Sequence, residues 1–284
     1  MTDYLSDLIR PNRLTAVVDI GAGPFELSPP YKSLLEKRLC RVFGFEPQPE
    51  PLAVLNSRKS DLEEYLPYAV GDGQSRTLQV CRVAGMTSLF SPDPQMLRLF
   101  PGFSEWGEVV QQIAVTTRRL DDIAEIAEFD FLKIDAQGAE LMIFQSGRER
   151  LKNVVAIQTE VSFVPLYKDQ PTFGEIDVEL RRSGFLPHSF PEVNKRLIAP
   201  LIGPNPYLAL NQILEADVVY VRDFSKPERL SPEQLKHLAM VAHHCYGSFD
   251  LTANCLHHLS VIGAVSADTV QRYITSLQSL SRPA

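Results

Sequence analysis

A chain of 284 residues, 44 % hydrophobic and 22 % charged, can bury a substantial core, as one large α/β domain or a domain with an appendage. Its 28 basic against 35 acidic residues give a net charge of −7, and no lysine–arginine cluster offsets it, which argues against nucleic acid or an anionic membrane as partner. No apolar run approaches the ~18–20 residues that span a bilayer. Residues 1–13 lack the apolar core of a signal peptide, and Cys40, Cys81, Cys245 and Cys255 are too few for a disulfide framework, so a cytoplasmic protein with reduced thiols is expected.

The first organised stretch is Leu14–Gly23, L-T-A-V-V-D-I-G-A-G. Val17 and Val18 suit a strand buried on both faces, Asp19 follows them, and Gly21 and Gly23 allow a sharp turn with close approach to a ligand. Further strands are expected over Arg41–Phe45, Tyr65–Val70, Phe129–Ile134 and Val154–Thr159, each short, apolar or β-branched, and ending near an acid. Helical spacing lies between them at Tyr31–Leu39, from Glu50 to Leu55, and at Ala139–Phe144 with Gly147 as its stop. Strands alternating with helices imply right-handed βαβ units and a mostly parallel sheet.

Residues 71–120 depart from that alternation. Two β-prone pieces, Thr77–Val83 and Ile113–Thr117, flank a loop rich in proline and aromatics (Phe100, Phe103 and Trp106 among them), expected to be an insertion over one sheet edge whose rings pack. A helix at Phe173–Arg182 stops at Gly184, Phe185–Phe190 returns to the sheet, Leu201–Pro206 is loop, and Asp217–Asp223 is the last strand. Ser231-Pro232-Glu233-Gln234 is a capping box with proline at the first helical position. The helix it opens and two further helical stretches, Leu251–Ile262 and Asp268–Leu280, form a C-terminal helical appendage, residues 231–284, compatible with a homodimer through these helices.

In an open parallel sheet, ligands lie outside the carboxyl ends of the strands. Asp19, Glu46, Asp72, Asp135 and Glu160 stand at or just past five such ends, an acidic rim suited to hydroxyls, amines or a cation. A dinucleotide fingerprint needs a third glycine where this chain has Glu26, whose charge would repel a diphosphate. Glu46 is well spaced to meet ribose hydroxyls. A nucleoside without phosphates therefore fits best, S-adenosylmethionine being the usual one, and its sulfonium charge suits an acidic crevice.

In order along the chain come V-V-D-I-G-A-G at 17–23, F-G-F-E-P at 43–47, A-V-G-D at 69–72, M-T-S-L at 86–89, R-L-D-D at 119–122, F-L-K-I-D-A-Q-G-A-E-L at 131–141, E-V-S-F at 160–163 and L-Y-K-D-Q-P-T-F at 166–173. In order and spacing these resemble the FkbM family of S-adenosylmethionine-dependent methyltransferases, over residues 14–223. The resemblance implies an α/β fold with a Rossmann-like class I methyltransferase sheet of seven strands, the last (217–223) antiparallel, interrupted by an insertion at about 73–118. It implies a Gly21, Ala22, Gly23 turn around the amino-acid end of the cofactor, with Asp19 fixing that turn or the cofactor's amino group. It places Glu46 on the ribose, Asp72 near the adenine and Asp135 near the methyl group. Gly23-Pro24 followed by Pro29-Pro30 departs from the family pattern and implies a first helix that starts late, near Pro30.

Family members mostly methylate hydroxyls on sugars or polyketide-type products, so a small-molecule or glycan hydroxyl acceptor is implied. Such an acceptor must lose a proton, and Asp135, Glu160 and His188 are the candidate bases. Lys133 should face away from its strand neighbours, while Gln137 and Glu140 are expected to tie strand to helix. No metal is expected: Asp135 with Glu160 offers only two carboxylates, and adjacent residues in His243-His244-Cys245 and in Cys255 with His257-His258 diverge by about 100° on a helix. Two rival readings are a nicotinamide-dependent oxidoreductase, which the missing glycine disfavours, and a cofactor-binding module without activity that acts through its helical tail.

Overall fold

The computed structural model describes residues 3–24, 29–205 and 207–280. Seven strands form one sheet: β1 (Thr15–Ile20), β2 (Cys40–Phe45), β3 (Glu63–Leu66), β4 (Phe131–Ile134), β5 (Ala156–Ser162), β6 (Phe185–Arg196) and β7 (Gln212–Arg222), in the spatial order β3-β2-β1-β4-β5-β7-β6. Pairings from β3 to β5 are parallel, and β7 runs antiparallel to both β5 and β6. This is the Rossmann-like class I methyltransferase sheet. Strand order reverses between β1 and β4, which opens a crevice at their carboxyl ends.

Alternation along the strands divides the core into two layers. Val18, Ile20, Leu132, Ile134 and Ile157 point to one face and meet Ile143 and Phe144 of α4 (Glu140–Ser146) and Ile176 and Leu180 of α5 (Phe173–Arg182), α1 to α3 being the helices at Tyr4–Ile9, Lys32–Glu36 and Pro49–Arg58. Val17, Val42, Phe131 and Ala156 point to the other face, where the short helices α1 and α2 bury Leu5, Ile9 and Leu34, with Leu8 and Leu35 partly buried beside them. The gap is filled by α6 (Pro232–Tyr246), which buries Leu235, Leu238, Met240 and Val241, backed by α7 (Phe249–Val261) and α8 (Thr269–Leu280). At about 1.5–3 kcal/mol for each large side chain withdrawn from water, α6 is a principal stabiliser of that layer rather than a loose extension. Its ends follow the sequence: Ser231 and Gln234 close a capping box, Pro232 leads the helix, and Gly247 caps it in the left-handed conformation.

Several boundaries differ from expectation for identifiable reasons. The Tyr65–Val70 strand is broken by Pro67 into β3 and a two-residue strand, Val70–Gly71, which pairs outside the main sheet with Arg118–Arg119. Helix α2 does start late, at Lys32, and ends early because Arg38 turns left-handed (φ 58°). Strand β6 runs six residues beyond Phe190, through Pro191, because an edge strand leaves one side unpaired, and bulges near Pro187 and Ser189 absorb the irregular register. The insertion is an antiparallel pair, Ser75–Cys81 with Val109–Thr116. Phe100 and Phe103 pack with Met86, Leu97 and Tyr167 in a third core, and Trp106 stacks between Phe103 and Tyr207.

Among the described residues no helix is long and apolar enough to cross a membrane.

Candidate active site

A cavity of about 500 Å³ opens at the carboxyl ends of β1, β2, β4 and β5, within the range of small-molecule sites. Its floor is the turn after β1. Gly21 has φ +81°, and a Cβ there would stand 1.9 Å from the backbone oxygen of Asp135, so only glycine lets β1 pass beneath the end of β4. The Gly21 and Ala22 amides both donate to Phe45 O, and the Asp135 amide donates to Ile20 O, which locks the three strand ends together. Among the described residues, its chain neighbours aside, Gly23 has no atom within 4 Å of where a Cβ would be, and it lines the cavity. Ala22 is buried against Gly44 on the other side of the turn.

At the β2 end, Glu46 is 8 % exposed and faces the cavity beside Phe45, Tyr68 and Pro51. Its Oε1 accepts a hydrogen bond from the Gln48 amide at 2.7 Å, and burial raises its pKa. A carboxylate that accepts hydrogen bonds from ribose hydroxyls, beside apolar walls for the base, is what a nucleoside requires. Behind this floor Asp19 is almost fully buried. Its Oδ2 accepts from the Tyr31 hydroxyl at 2.6 Å, and its Oδ1 lies 3.5 Å from Lys133 Nζ. Asp19 and Lys133 are register partners on β1 and β4, so their side chains share a face, opposite to that of Val18 and Leu132.

The far end of the cavity is polar. Asp135 and Glu160 follow β4 and lie in β5, and both accept from Gln137 Nε2, at 2.6 and 2.9 Å. Gln137 occupies the left-handed region (φ 48°), which costs a non-glycine residue on the order of 1–3 kcal/mol. Its conformation is held by Ser88, whose hydroxyl donates to Gln137 O at 2.6 Å, and by the Tyr167 hydroxyl 3.2 Å from Gln137 Oε1. Glu160 has a pKa well above the usual carboxylate range, first from burial and then from the charge of Asp135. Glu140 takes the Ala136 and Gly138 amides on Oε1, the strand-to-helix tie expected of it, and burial pushes its pKa to about 7. Asp217 accepts from Gln158 Nε2 at 2.8 Å, and burial raises its pKa too.

The structure thus brings Gly21, Gly23, Glu46, Asp135 and Glu160 around one cavity, with Asp19 and Ala22 directly behind it. Two expected site residues stand elsewhere. Asp72 does not line the cavity: it follows the two-residue strand outside the main sheet, and its carboxylate is held 2.5 Å from Arg76, which lowers its pKa to about 2. Tyr68, Ala69 and Val70 take the place expected of it. His188 lies on the edge strand β6, two strands from β5, where its Nε2 is 2.9 Å from Ser248 Oγ just ahead of α7. Glu26 lies outside the described residues.

Sequence reasoning passed over Asp217, Glu192, Asn194 and Gln158, which line the polar end. One signal was available: an antiparallel last strand enters the sheet at the carboxyl edge of its neighbours, so an acid early in that strand must face the crevice. Asp217 is the register partner of Glu160. In the tail, His243 Nδ1 is 2.8 Å from the Tyr273 hydroxyl and His244 Nε2 is 3.2 Å from Asp3 Oδ1. Among the described residues no group of three or more His, Cys, Asp or Glu could hold a metal ion.

Among solved structures, the chain is similar to precorrin-6y C5,15-methyltransferase from Geobacter metallireducens GS-15 (14 % identity, 77 % of this chain and 86 % of that one, TM-score 0.38). It is also similar to magnesium protoporphyrin IX methyltransferase from Synechocystis PCC 6803 with bound SAM (10 % identity, 74 % and 71 %, TM-score 0.37). None of the curated proteins matches the chain. The methyltransferase FkbM domain model matches residues 19–187, more than half of the chain and the segment that carries Gly21, Gly23, Glu46, Asp135 and Glu160. The chain belongs to the FkbM methyltransferase family and is an S-adenosylmethionine-dependent methyltransferase.

Proposed function

We propose that the enzyme methylates a hydroxyl oxygen of a small polar acceptor, a sugar or a secondary-metabolite-type molecule, with Asp135 taking the hydroxyl proton. The observation that carries this reading is the division of one cavity into two ends. A glycine turn and Glu46 with apolar walls form one end, and the paired carboxyl groups of Asp135 and Glu160 form the other.

The residues present fit S-adenosylmethionine. Gly23, open on its cavity side, leaves room for the amino-acid end. Glu46 commits one oxygen to the Gln48 amide and keeps the other for ribose hydroxyls, while Phe45, Tyr68 and Pro51 offer apolar surface to adenine. When bound, the cofactor supplies a methyl group on a sulfonium sulfur, open to in-line attack. Asp135 lines the cavity beside Glu160, the two joined through Gln137 Nε2. A carboxylate there accepts the proton that the acceptor hydroxyl gives up. Glu160, Asp217, Gln158 and Asn194 provide donors and acceptors that orient the acceptor's remaining polar groups.

The test is incubation of the purified protein with S-adenosylmethionine carrying a deuterated methyl group and a panel of monosaccharides, glycosides and phenolic or aliphatic alcohols, analysed by mass spectrometry. A labelled methyl ether is expected. A labelled amine or carbon-methylated product, obtained with amine or enol competitors in the same panel, would overturn the oxygen assignment.

A further inference from the structure

We propose that the insertion carries a second ligand site, separate from the methyl-transfer cavity, that binds a sugar unit through the amides of Gln79 and Gln112. The site stands on its own geometry and does not depend on which atom the enzyme methylates.

The antiparallel pair Ser75–Cys81 and Val109–Thr116 has a cavity on each side. Successive side chains of a strand point to opposite faces, and Leu78 and Gln79 divide accordingly. Leu78 lines the methyl-transfer cavity, whereas Gln79 lines a second cavity of about 500 Å³ between the pair and residues 91–107. Gln112 is the register partner of Gln79, so its side chain shares that face, and its Nε2 donates to Gln79 Oε1 at 2.8 Å. Gln79 is 7 % exposed. Its carbonyl is spent on Gln112, and its own NH₂ group has no partner among the described residues. That nitrogen is not sealed in the core but opens on the cavity. A buried amide with a free donor has given up hydrogen bonds it made in water, and a ligand oxygen at this spot restores one.

The rest of the lining sets the class of ligand. Gln112 keeps its carbonyl oxygen, and the hydroxyls of Ser91 and Ser104 have no partner among the described residues, so donors and acceptors stand side by side. Pro92, Pro94, Leu97 and Val109 add C–H surface. Glu108 is paired with Arg82, which leaves Arg98, at the exposed rim, as the one unpaired charge among the described lining residues. Neutral amides and hydroxyls beside apolar walls match a pyranose, whose hydroxyl groups both donate and accept and whose ring faces are C–H. The two cavities are neighbours: Ser88 and Leu89 line the first, Ser91 and Pro92 the second. Gln79 also exchanges both backbone hydrogen bonds with Ser88, whose hydroxyl holds Gln137 at the acceptor end. A glycan long enough to occupy both cavities is therefore one source of the sugar unit, and a separate saccharide is the other.

The test is side-chain amide NMR of the full-length protein labelled with nitrogen-15 glutamine and bound to S-adenosylhomocysteine, with Gln79, Gln112 and Gln137 assigned through Q79L, Q112A and Q137L. The probes are methyl glycosides of glucose, galactose, mannose and fucose, and the disaccharides and trisaccharides built on them. At least one probe is expected to move the Gln79 and Gln112 amides saturably, with its Kd raised about tenfold in Q79L, the loss of one hydrogen bond. Q112A, a change at an exposed position, should weaken binding by less, and it serves if Q79L does not fold. A probe that also moves Gln137 with the same midpoint supports the site as part of a glycan bound across both cavities. One that moves Gln79 and Gln112 alone supports it as the seat of a separate saccharide. The proposal is overturned if no probe moves the Gln79 amide, or if Q79L and Q112A bind as tightly as the unaltered protein. It is overturned too if inorganic phosphate alone moves that amide, which would make the cavity an anion site on Arg98. The titration needs no turnover, so failure to form a methyl ether would leave its result standing, and its failure would leave methyl transfer standing.

Discussion

Lys133 Nζ stands 3.5 Å from Asp19 Oδ1, both side chains almost wholly buried, directly behind the glycine turn that floors the cavity. The pair joins the two strands between which the sheet order reverses, and removing one partner strands a charge in the core. Lys133→Met should therefore lower unfolding stability by about 3–5 kcal/mol, measured by denaturant titration. Asp19→Asn combined with Lys133→Met should cost less than the two single changes added together, since it removes both charges. Additive losses would show that the pair does not interact.

The two glycines of the turn serve different ends, and alanine substitution separates them. Gly21→Ala forces a left-handed alanine and places its Cβ 1.9 Å from Asp135 O, so a loss on the order of 3 kcal/mol or more is expected in thermal or chemical unfolding. Gly23→Ala meets no atom of the described residues within 4 Å, its chain neighbours aside, and should fold normally. Its methyl group enters the cavity instead, and weaker S-adenosylhomocysteine binding by calorimetry is the expected effect. If Gly23→Ala binds as tightly as the unaltered enzyme, the turn does not contact the amino-acid end.

Much of this was legible because it is local. V-V-D-I-G-A-G states a buried strand, an acid and a tight turn in seven residues, and Ser231 to Gln234 announces a helix start in four. Glu46 and Asp135 followed from the rule that ligands gather at carboxyl ends, which needs only strand direction. Asp72 and His188 lie away from the cavity, where that rule was carried beyond the parallel core. Pro67 diverts the chain before Asp72, so its strand never joins the main sheet, and His188 lies on an edge strand beyond β7. Glu192 and Asn194 were not legible because the segment after Phe190 has the proline and exposed polar residues of a loop. It is a strand only because β7 pairs with it. The packing of α6 was equally hidden: amphipathic spacing shows that a helix buries one face, not which surface receives it.

Glu46 and Asp135 lie at different ends of the cavity, and their variants should fail differently. Glu46→Ala should weaken S-adenosylhomocysteine binding about 10- to 100-fold, the loss of one or two charge-assisted hydrogen bonds to hydroxyls. Asp135→Asn should bind the cofactor within a few-fold of the unaltered enzyme while turnover falls about 10²- to 10⁴-fold, the range for removal of a general base. Calorimetry and single-turnover methylation separate the two. The opposite pattern would exchange the roles assigned to these carboxylates.

Glu140 offers a pH test of the fold that is independent of the acceptor. Burial raises its pKa from 4.5 to about 7, despite hydrogen bonds from the Ala136 and Gly138 amides that favour the ionised form. A carboxyl group with a higher pKa in the folded than in the unfolded state binds its proton more tightly when folded. Its stabilising effect is complete below about pH 4.5 and is lost as pH rises through about 7. The loss attributable to this group is on the order of 3 kcal/mol. Glu140→Gln retains an oxygen for the two amides but cannot ionise, so this part of the decline should vanish while the K-I-D-A-Q-G turn stays intact. Unfolding free energies at several pH values between 4.5 and 8 decide the matter. If Glu140→Gln leaves the decline as steep as before, Glu140 is already ionised in the folded protein and its two amide donors outweigh its burial.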